Sequence, residues 1–244
     1  MIAGGYVAMG LFRNFASSKQ NKKMARKIIL ILSALLLTLS LSAQQPQKRI
    51  KVACVGNSIT EGVGSGDYEQ NSYPAQLQQL LGKEQYRVRN FGKSGHTLMS
   101  SGDRPWIKSD RWQDARKWKP VIVIIKLGTN DSKPINASHI ESDFRNDLIA
   151  LVDSFQALPT VKQIYLCTPI PCVEENRYNI DGQVISQQIV PIIKDVARER
   201  YLTLIDLHAA MTGHADLFPD HVHPNKDGAS IIARTVYEAI MNKK

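Results

Sequence analysis

Short apolar runs, most of them bounded by glycine, proline or polar residues, alternate along the chain with stretches of helical periodicity. The run Val121–Ile125 is a continuous series of β-branched residues, which is typical of a strand buried on both faces of a sheet. The other runs have the length of a strand. The pattern predicts five strands, at Lys51–Gly56, Gln85–Phe91, Val121–Ile125, Gln163–Thr168 and Tyr201–Leu207.

Helical periodicity fills most of the segments between these strands. Pro74 suits the first turn of the first helix, and Ser138 with Glu141 predicts a capping box at the start of the second. Pro191 predicts a bend or a restart within the third helix. The predicted helices are Tyr73–Leu81, Ser138–Phe155, Gly182–Arg200 and Lys226–Met241, and Leu98–Trp118 is predicted as a long loop with a short helix.

Strands that alternate with helices predict a parallel sheet covered by helices on both faces. The chain has 244 residues, and 43% of them are hydrophobic, which suits one globular domain with a full core. We therefore expect the α/β class, with a single-domain three-layer α/β/α sandwich around a five-stranded parallel sheet. Residues 44–244 are predicted to form this domain, and residues 1–43 to form an extension with a signal peptide.

The N-terminal extension has the pattern of an export signal. A basic segment at residues 22–27 precedes an apolar run at residues 28–41, and the small residues 40–43 offer a cleavage site before Gln44. Met24 is an alternative start. An uncleaved anchor is the alternative to cleavage, but the apolar run is short against the ~20 residues of a membrane span. We expect export to the periplasm or the medium, with no stable membrane insertion after cleavage.

The net charge of +9 is concentrated in the same extension. Residues 1–43 hold six basic and no acidic residues, which leaves 25 basic against 22 acidic residues, or +3, for the remainder. No dense basic patch remains, so we do not expect nucleic acid as a partner.

The three cysteines predict no metal site. Cys54 lies within the first predicted strand, where a buried thiol behaves as a small hydrophobic residue. Cys167 and Cys172 are close enough in sequence for a disulfide, which stays open. No CxxC motif or cysteine–histidine spacing typical of zinc is present.

Chemically capable residues follow the predicted strands. Ser58 follows the first strand, Gly95 the second and Asn130 the third, while Asp220 and His223 precede the last helix. Acyl transfer needs a hydroxyl nucleophile, a base, an acid that orients the base, and donors for the oxyanion. Each of these roles has a candidate at the sheet edge where α/β proteins bind ligands.

These residues lie in four blocks that resemble, in order, those of the SGNH (GDSL-type) serine hydrolases. The blocks are Gly56–Thr60, Asn90–Gly95, Gly128–Asp131 and Asp220–His223. The resemblance implies a flavodoxin-like fold, no metal and no organic cofactor.

The same resemblance assigns the site residues. It implies that Ser58 is the nucleophile, His223 the base and Asp220 the orienting acid. The oxyanion hole would be formed by the Ser58 and Gly95 backbone N–H groups and by the Asn130 side chain.

Asn57 departs from the family motif, which has aspartate at this position. With asparagine at this position, the sequence resembles the branch of the family whose exported members remove acetyl groups from sialic acid or plant polysaccharides. Asn57 is therefore a candidate for substrate binding. The expected substrate is a small-molecule or polysaccharide ester, cleaved through an acyl-enzyme. The alternatives are a lysophospholipase or thioesterase of the same family and a non-catalytic carbohydrate-binding protein. The sequence does not indicate an oligomeric state.

Several residues have competing interpretations. The His221–His223 pair could bind a metal, and Asp206 could replace Asp220 as the acid. Trp106 is the candidate platform for a sugar or acyl group, and Asp131 is expected to brace the loop beside Asn130. The glycines at positions 62, 64 and 66 suggest a phosphate cradle, but they lack the third glycine of a dinucleotide motif and the lysine of a P-loop.

Overall fold

The computed structural model describes residues 23–24, 26–32, 49–172 and 175–242. Backbone contacts divide the chain into two units, Met1–Lys48 and Arg49–Lys244. The sheet lies entirely in the second unit. The predicted boundary after residue 43 stays a prediction.

All five predicted strands are present and form one parallel sheet. The strands are β1 (Ile50–Gly56), β2 (Tyr86–Gly92), β3 (Ile122–Lys126), β4 (Gln163–Cys167) and β5 (Thr203–Ile205). Their order across the sheet is β2-β1-β3-β4-β5. This order reverses direction at β1, which places the loops after β1 and β3 on either side of a crevice at the carboxyl edge.

Helices cover both faces of the sheet, as the sequence predicts. Alternate residues of β3 enter different cores, so that Val123 and Ile125 pack on one face while Ile122 and Ile124 pack on the other. The α-helices of the second unit are α1 (Ser58–Glu61), α2 (Tyr68–Asn71), α3 (Tyr73–Leu81), α4 (Asp110–Lys117), α5 (Pro134–Ala137), α6 (Arg145–Gln156), α7 (Gly182–Val184), α8 (Val190–Glu199), α9 (Leu207–Met211) and α10 (Lys226–Met241). The three-layer α/β/α prediction is confirmed.

The capping box predicted at Ser138 is wrong. Pro134 begins the short helix α5, and Ser138 lies at its C-terminal end in helical conformation. A π-helical turn, Ile140–Phe144, then leads into α6 without a side-chain cap. The chain therefore enters α6 from a preceding helical turn, which leaves no extended residue for an N-cap.

The helix predicted to bend or restart at Pro191 does not restart there, because Ile189 and Val190 before the proline are both in helical conformation. The helix changes from π-helical to α-helical geometry at this point. A π-helical segment, Ile185–Ile189, ends directly before α8, and Pro191 lies in the first turn of α8. Proline has no N–H to donate, and the first turn is the part of a helix that needs none.

The described residues of the N-terminal unit, 23–24 and 26–32, are helical with exposed side chains. Among the residues that the structure describes, no helix has the length and apolarity needed to cross a bilayer. The rest of the predicted signal, including its cleavage site, lies outside the described residues.

The open question of a disulfide is answered by the positions of the two thiols. Cys167 is buried in the sheet, while the Cys172 sulfur lies 3.1 Å from the carbonyl oxygen of His221, and no bond joins them.

Candidate active site

Three neighbouring strands end at the same level and deliver the candidate residues to one place. Gly56 at the end of β1 is paired with Gly92 of β2 on one side and with Lys126 of β3 on the other. The loops that follow these three residues carry Ser58, Gly95 and Asn130. These three residues, which are far apart in the sequence, therefore lie on neighbouring loops at the carboxyl edge of the sheet.

Ser58 is the first residue of α1, and the preceding Asn57 caps this helix. The Asn57 side-chain oxygen accepts a hydrogen bond from the Ile59 N–H at 3.2 Å. The first N–H groups of a helix have no carbonyl partner within the helix, so the Ser58 N–H is suited to bind an anion. The Ser58 side chain is only 5% exposed.

His223 joins Ser58 to Asp220. Its Nε2 lies 2.8 Å from the Ser58 Oγ, and its Nδ1 lies 2.8 Å from the Asp220 Oδ2. An imidazole whose Nδ1 donates to a carboxylate keeps Nε2 as the proton acceptor, which is the tautomer that a base needs. The three side chains form the predicted hydrogen-bonded series.

The Asp220 carboxylate is held in its ionised form. Partial burial raises its pKa, but hydrogen bonds from the His223 backbone and ring, the charge of that ring and the Tyr178 hydroxyl outweigh burial and bring the pKa to about 2. Asp220 is therefore negatively charged at neutral pH and able to balance a positive charge on His223.

A hydrogen bond joins the loop of Asn130 to the loop of Gly95. The Asn130 amide nitrogen donates to the carbonyl oxygen of His96 at 3.0 Å, which orients the amide and leaves its second hydrogen for a ligand. Gly95, next to His96, has a φ of 78°, a conformation that side chains other than glycine adopt at a cost. The structure thus brings the three predicted oxyanion donors to the loops of adjacent strands.

Asp131 braces the neighbouring loop, as expected. Its two carboxylate oxygens accept hydrogen bonds from the backbone N–H groups of Leu98 and Met99 at 3.0 and 2.9 Å. Complete burial raises the pKa of Asp131 to about 6, although these N–H groups act in the opposite direction. Asn136 adds a second brace, since its amide donates to the Asn130 carbonyl at 2.9 Å.

Two expected substrate contacts are wrong. Trp106 is completely buried, and its indole N–H donates to the Phe91 carbonyl at 3.1 Å, so that this ring belongs to the core. Asn57 also has no exposed surface, and its side-chain oxygen serves the helix cap. Neither residue is exposed at the surface that a bound sugar would contact.

The two residues with competing interpretations, Asp206 and His221, have other contacts in the structure. Asp206 caps α9 and forms an ion pair with Lys194 at 2.7 Å. The His221 Nδ1 lies 2.9 Å from the Glu175 carbonyl oxygen rather than beside His223. Within the described ranges, no group of three or more metal-ligating side chains occurs.

Two contacts in the site escape sequence reasoning. The Glu61 carboxylate accepts a hydrogen bond from the Ser94 N–H at 2.9 Å, and this bond ties α1 to the loop of Gly95. Tyr178 donates a hydrogen bond to Asp220 at 2.9 Å from a loop 42 residues earlier in the chain. No sequence motif around Glu61 or Tyr178 predicts these contacts.

The parallel sheet and the serine, histidine and aspartate at its carboxyl edge define an α/β serine hydrolase arrangement. The sequence profile of the GDSL-like Lipase/Acylhydrolase family matches residues 54–231. The chain belongs to this family of ester hydrolases, and the predicted family is confirmed.

Relatives agree with this assignment. An acetylxylan esterase from Xylanibacter ruminicola is 41% identical over an alignment of 209 residues, and the match covers 78% of this chain and 43% of that protein. The chain therefore spans less than half of the length of this relative. The crystal structure of Axe2, an acetylxylan esterase from Geobacillus stearothermophilus, is 26% identical with a TM-score of 0.62, and the match covers 82% of this chain and 98% of Axe2.

A carbohydrate acetylesterase family member from Sinorhizobium meliloti has the same fold. It is 20% identical with a TM-score of 0.62, and the match covers 78% of this chain and 97% of that chain.

Proposed function

We propose that the protein is an exported acetylesterase that removes acetyl groups from plant polysaccharide, with acetylated xylan as its substrate. The observation that carries the proposal is the hydrogen-bonded series from Ser58 through His223 to Asp220. The relative from Xylanibacter ruminicola and Axe2, both acetylxylan esterases, support the choice of acetyl group and of xylan. The basic and apolar pattern of residues 22–43 supports export.

Ester cleavage would begin at the Ser58 hydroxyl. His223 accepts the hydroxyl proton at Nε2 while Oγ attacks the acetyl carbonyl, and the negative charge of Asp220 balances the imidazolium that forms. The oxyanion of the tetrahedral intermediate is stabilised by the Ser58 and Gly95 N–H groups and by the second hydrogen of the Asn130 amide. His223 then returns the proton to the sugar oxygen, which leaves as an alcohol.

Water completes the cycle by attack on the acetyl-Ser58 ester. His223 accepts a proton from the water molecule, and collapse of the second tetrahedral intermediate releases acetate and restores the Ser58 hydroxyl. The low exposure of Ser58 and Asn130, 5% each, favours a small acyl group such as acetyl.

The test compares Ser58→Ala with Ser186→Ala, which removes an exposed hydroxyl from the π-helical segment. Acetate release is measured from acetylated xylan and from p-nitrophenyl acetate. We expect Ser58→Ala to lose more than 99% of the parent rate and Ser186→Ala to keep it, since removal of a nucleophile costs about 10⁶-fold in a well-studied serine hydrolase. Full activity of Ser58→Ala would refute the assignment of the nucleophile.

A substrate panel tests the acyl group and the sugar. We expect acetyl esters of xylan to be cleaved faster than acetylated sialic acid and faster than esters of longer fatty acids. A rate that rises with acyl chain length would instead support a lysophospholipase or thioesterase. Failure of a fluorophosphonate probe to label Ser58 would support a non-catalytic binding protein.

A further inference from the structure

The Asp220 carboxylate accepts four hydrogen bonds, and one of them comes from outside its own loop. Oδ1 accepts the backbone N–H groups of Val222 and His223 at 3.1 and 2.7 Å. Oδ2 accepts the His223 Nδ1–H at 2.8 Å and the Tyr178 hydroxyl at 2.9 Å. The same carboxylate oxygen therefore holds both the catalytic imidazole and a tyrosine.

The Tyr178 ring also packs against His223. The two rings meet edge to face, with centroids 4.9 Å apart and an angle of 89° between their planes. This arrangement limits rotation of the imidazole away from Asp220. Tyr178 thus contacts both residues that must stay aligned while Ser58 loses its proton.

Arg177 fixes the direction of the Tyr178 hydroxyl. Its Nη2 lies 2.7 Å from the tyrosine oxygen, and its guanidinium carbon lies 4.9 Å from the ring centroid. Guanidinium groups only donate, so the tyrosine oxygen accepts from Arg177 and its own proton is directed to Asp220. A donor next to the tyrosine oxygen also makes the hydroxyl a stronger donor.

The backbone of this loop is fixed as well. The Asn176 side-chain oxygen accepts hydrogen bonds from the N–H groups of Tyr178 and Ile180, both at 3.1 Å. These bonds hold the Tyr178 backbone in place before substrate arrives. The hydroxyl is therefore preorganised rather than recruited by the ligand.

We propose that Tyr178 is a positioning residue of the active site, whose hydroxyl, directed by Arg177, keeps the Asp220 carboxylate and the His223 ring aligned for proton transfer from Ser58. This inference rests on the proposed function, because it assigns the chemistry to Ser58. Tyr178 acts through Asp220 and His223, which it contacts directly, so loss of its hydroxyl should slow the chemical step without weakening substrate binding.

Tyr178→Phe tests the proposal because it keeps the ring contact with His223 and removes only the hydroxyl. We expect kcat for p-nitrophenyl acetate to fall about tenfold or more, as loss of a hydrogen bond to a charged group does, with KM changed less than twofold. Proton NMR should show a shift of the His223 Nδ1 proton resonance. Tyr201→Phe is the matched control, since the Tyr201 side chain is 97% exposed and its hydroxyl loss should change neither quantity.

Arg177 supplies a second test that does not depend on how the ring packs, because Arg177 is exposed. Arg177→Met removes the donor to the tyrosine oxygen and should lower kcat about threefold, and Arg177→Lys, which keeps a donor, should restore most of it. If both Arg177 variants keep the parent kcat, the role assigned to Arg177 is wrong.

Three results separate the inference from the proposed function. Parent-like kcat and an unshifted Nδ1 resonance in Tyr178→Phe would overturn the positioning role, as would a raised KM with unchanged kcat. A parent enzyme that releases no acetate from any ester would refute the proposed function instead. A lower kcat at constant KM, together with a shifted resonance, would support both.

Discussion

The His223 Nε2 lies 2.8 Å from the Ser58 Oγ, although 165 residues separate the two side chains in the sequence. Ser58 is placed by the end of β1, whereas His223 is placed by the loop that enters α10. The last helix, α10, packs on the face of the sheet to which the Val52 and Cys54 side chains of β1 point. The contact that would start ester cleavage is therefore a consequence of how the last helix returns to the first strand.

Asp220→Asn should lower kcat by about 10³–10⁴-fold, since the aspartate orients the histidine in a serine–histidine–aspartate series. An asparagine offers one acceptor oxygen, whereas both oxygens of Asp220 now accept two hydrogen bonds each. One pair of donors would face an amide N–H₂ and repel it. Steady-state kinetics with p-nitrophenyl acetate measure the effect.

Asp216→Asn is the control for this substitution, because Asp216 is exposed on the 3₁₀ turn Ala215–Leu217, a few residues before Asp220. We expect it to keep the parent kcat. Retention of more than a tenth of the parent kcat by Asp220→Asn would contradict the role assigned to Asp220.

Asn130→Ala should lower kcat by about 10²–10³-fold with little change in KM, because an oxyanion donor binds the charge that develops only in the transition state. The measurement is again steady-state hydrolysis of an acetyl ester. Asn146→Ala, on the exposed side of α6, removes an amide that donates to the Ser142 carbonyl and should have no effect. A rise in KM at constant kcat would show that Asn130 binds the ground state instead.

The strands and the four motifs can be predicted from the sequence because each depends on a local pattern. Apolar runs define the strands, and parallel strands necessarily bring the residues after their ends to a common edge. The catalytic candidates Ser58, Asn130 and His223 could therefore be named before any distance was known.

The remaining features depend on tertiary contacts that leave no local pattern. Trp106 lies in a loop that is polar and rich in glycine, which suggests exposure, yet its ring is buried and its N–H is satisfied by Phe91. The Tyr178 contact with Asp220 joins two loops that share no motif. Serine is a preferred N-cap residue, but Ser138 continues the turn of α5 in helical conformation and lacks the extended conformation that an N-cap requires.

Gly64→Ala should lower both stability and activity, because a methyl group at this position would lie 2.8 Å from the Pro224 carbonyl oxygen and 2.9 Å from the His223 Cβ. The φ of 89° at Gly64 adds a conformational cost of about 1 kcal/mol for alanine. The collision pushes directly on the catalytic histidine, so kcat should fall more than the loss of folded protein explains. Thermal unfolding and kcat, measured on the same samples, distinguish the two effects. A lower melting temperature with an unchanged kcat would contradict a link between Gly64 and His223.

Lys126→Met should stabilise the protein at neutral and acidic pH. Lys126 is the last residue of β3, it is completely buried, and its Nζ has no hydrogen-bond partner among the residues that the structure describes. Burial lowers the pKa of Lys126 to about 7, against a small opposing effect of Cys167. Methionine has a similar length and no charge to desolvate, so the substitution removes a penalty on the order of 5 kcal/mol at pH 6, about 1.4 kcal/mol for each unit by which the pKa is lowered.

The pH dependence gives this prediction its sign. Between pH 7 and about 10, the unfolded chain keeps the Lys126 proton while the folded chain has released it, so the parent gains stability as the pH rises. Below pH 7 both states hold the proton and the penalty is complete. The stability difference between Lys126→Met and the parent, measured by urea unfolding at pH 6, 8 and 10, should therefore shrink steadily toward the highest pH. Lys117→Met, which removes an exposed amine from α4, should show a constant difference near zero. A constant gain would mean that folding does not lower the pKa of Lys126, and a loss at pH 6 would mean that its charge is satisfied in the folded protein.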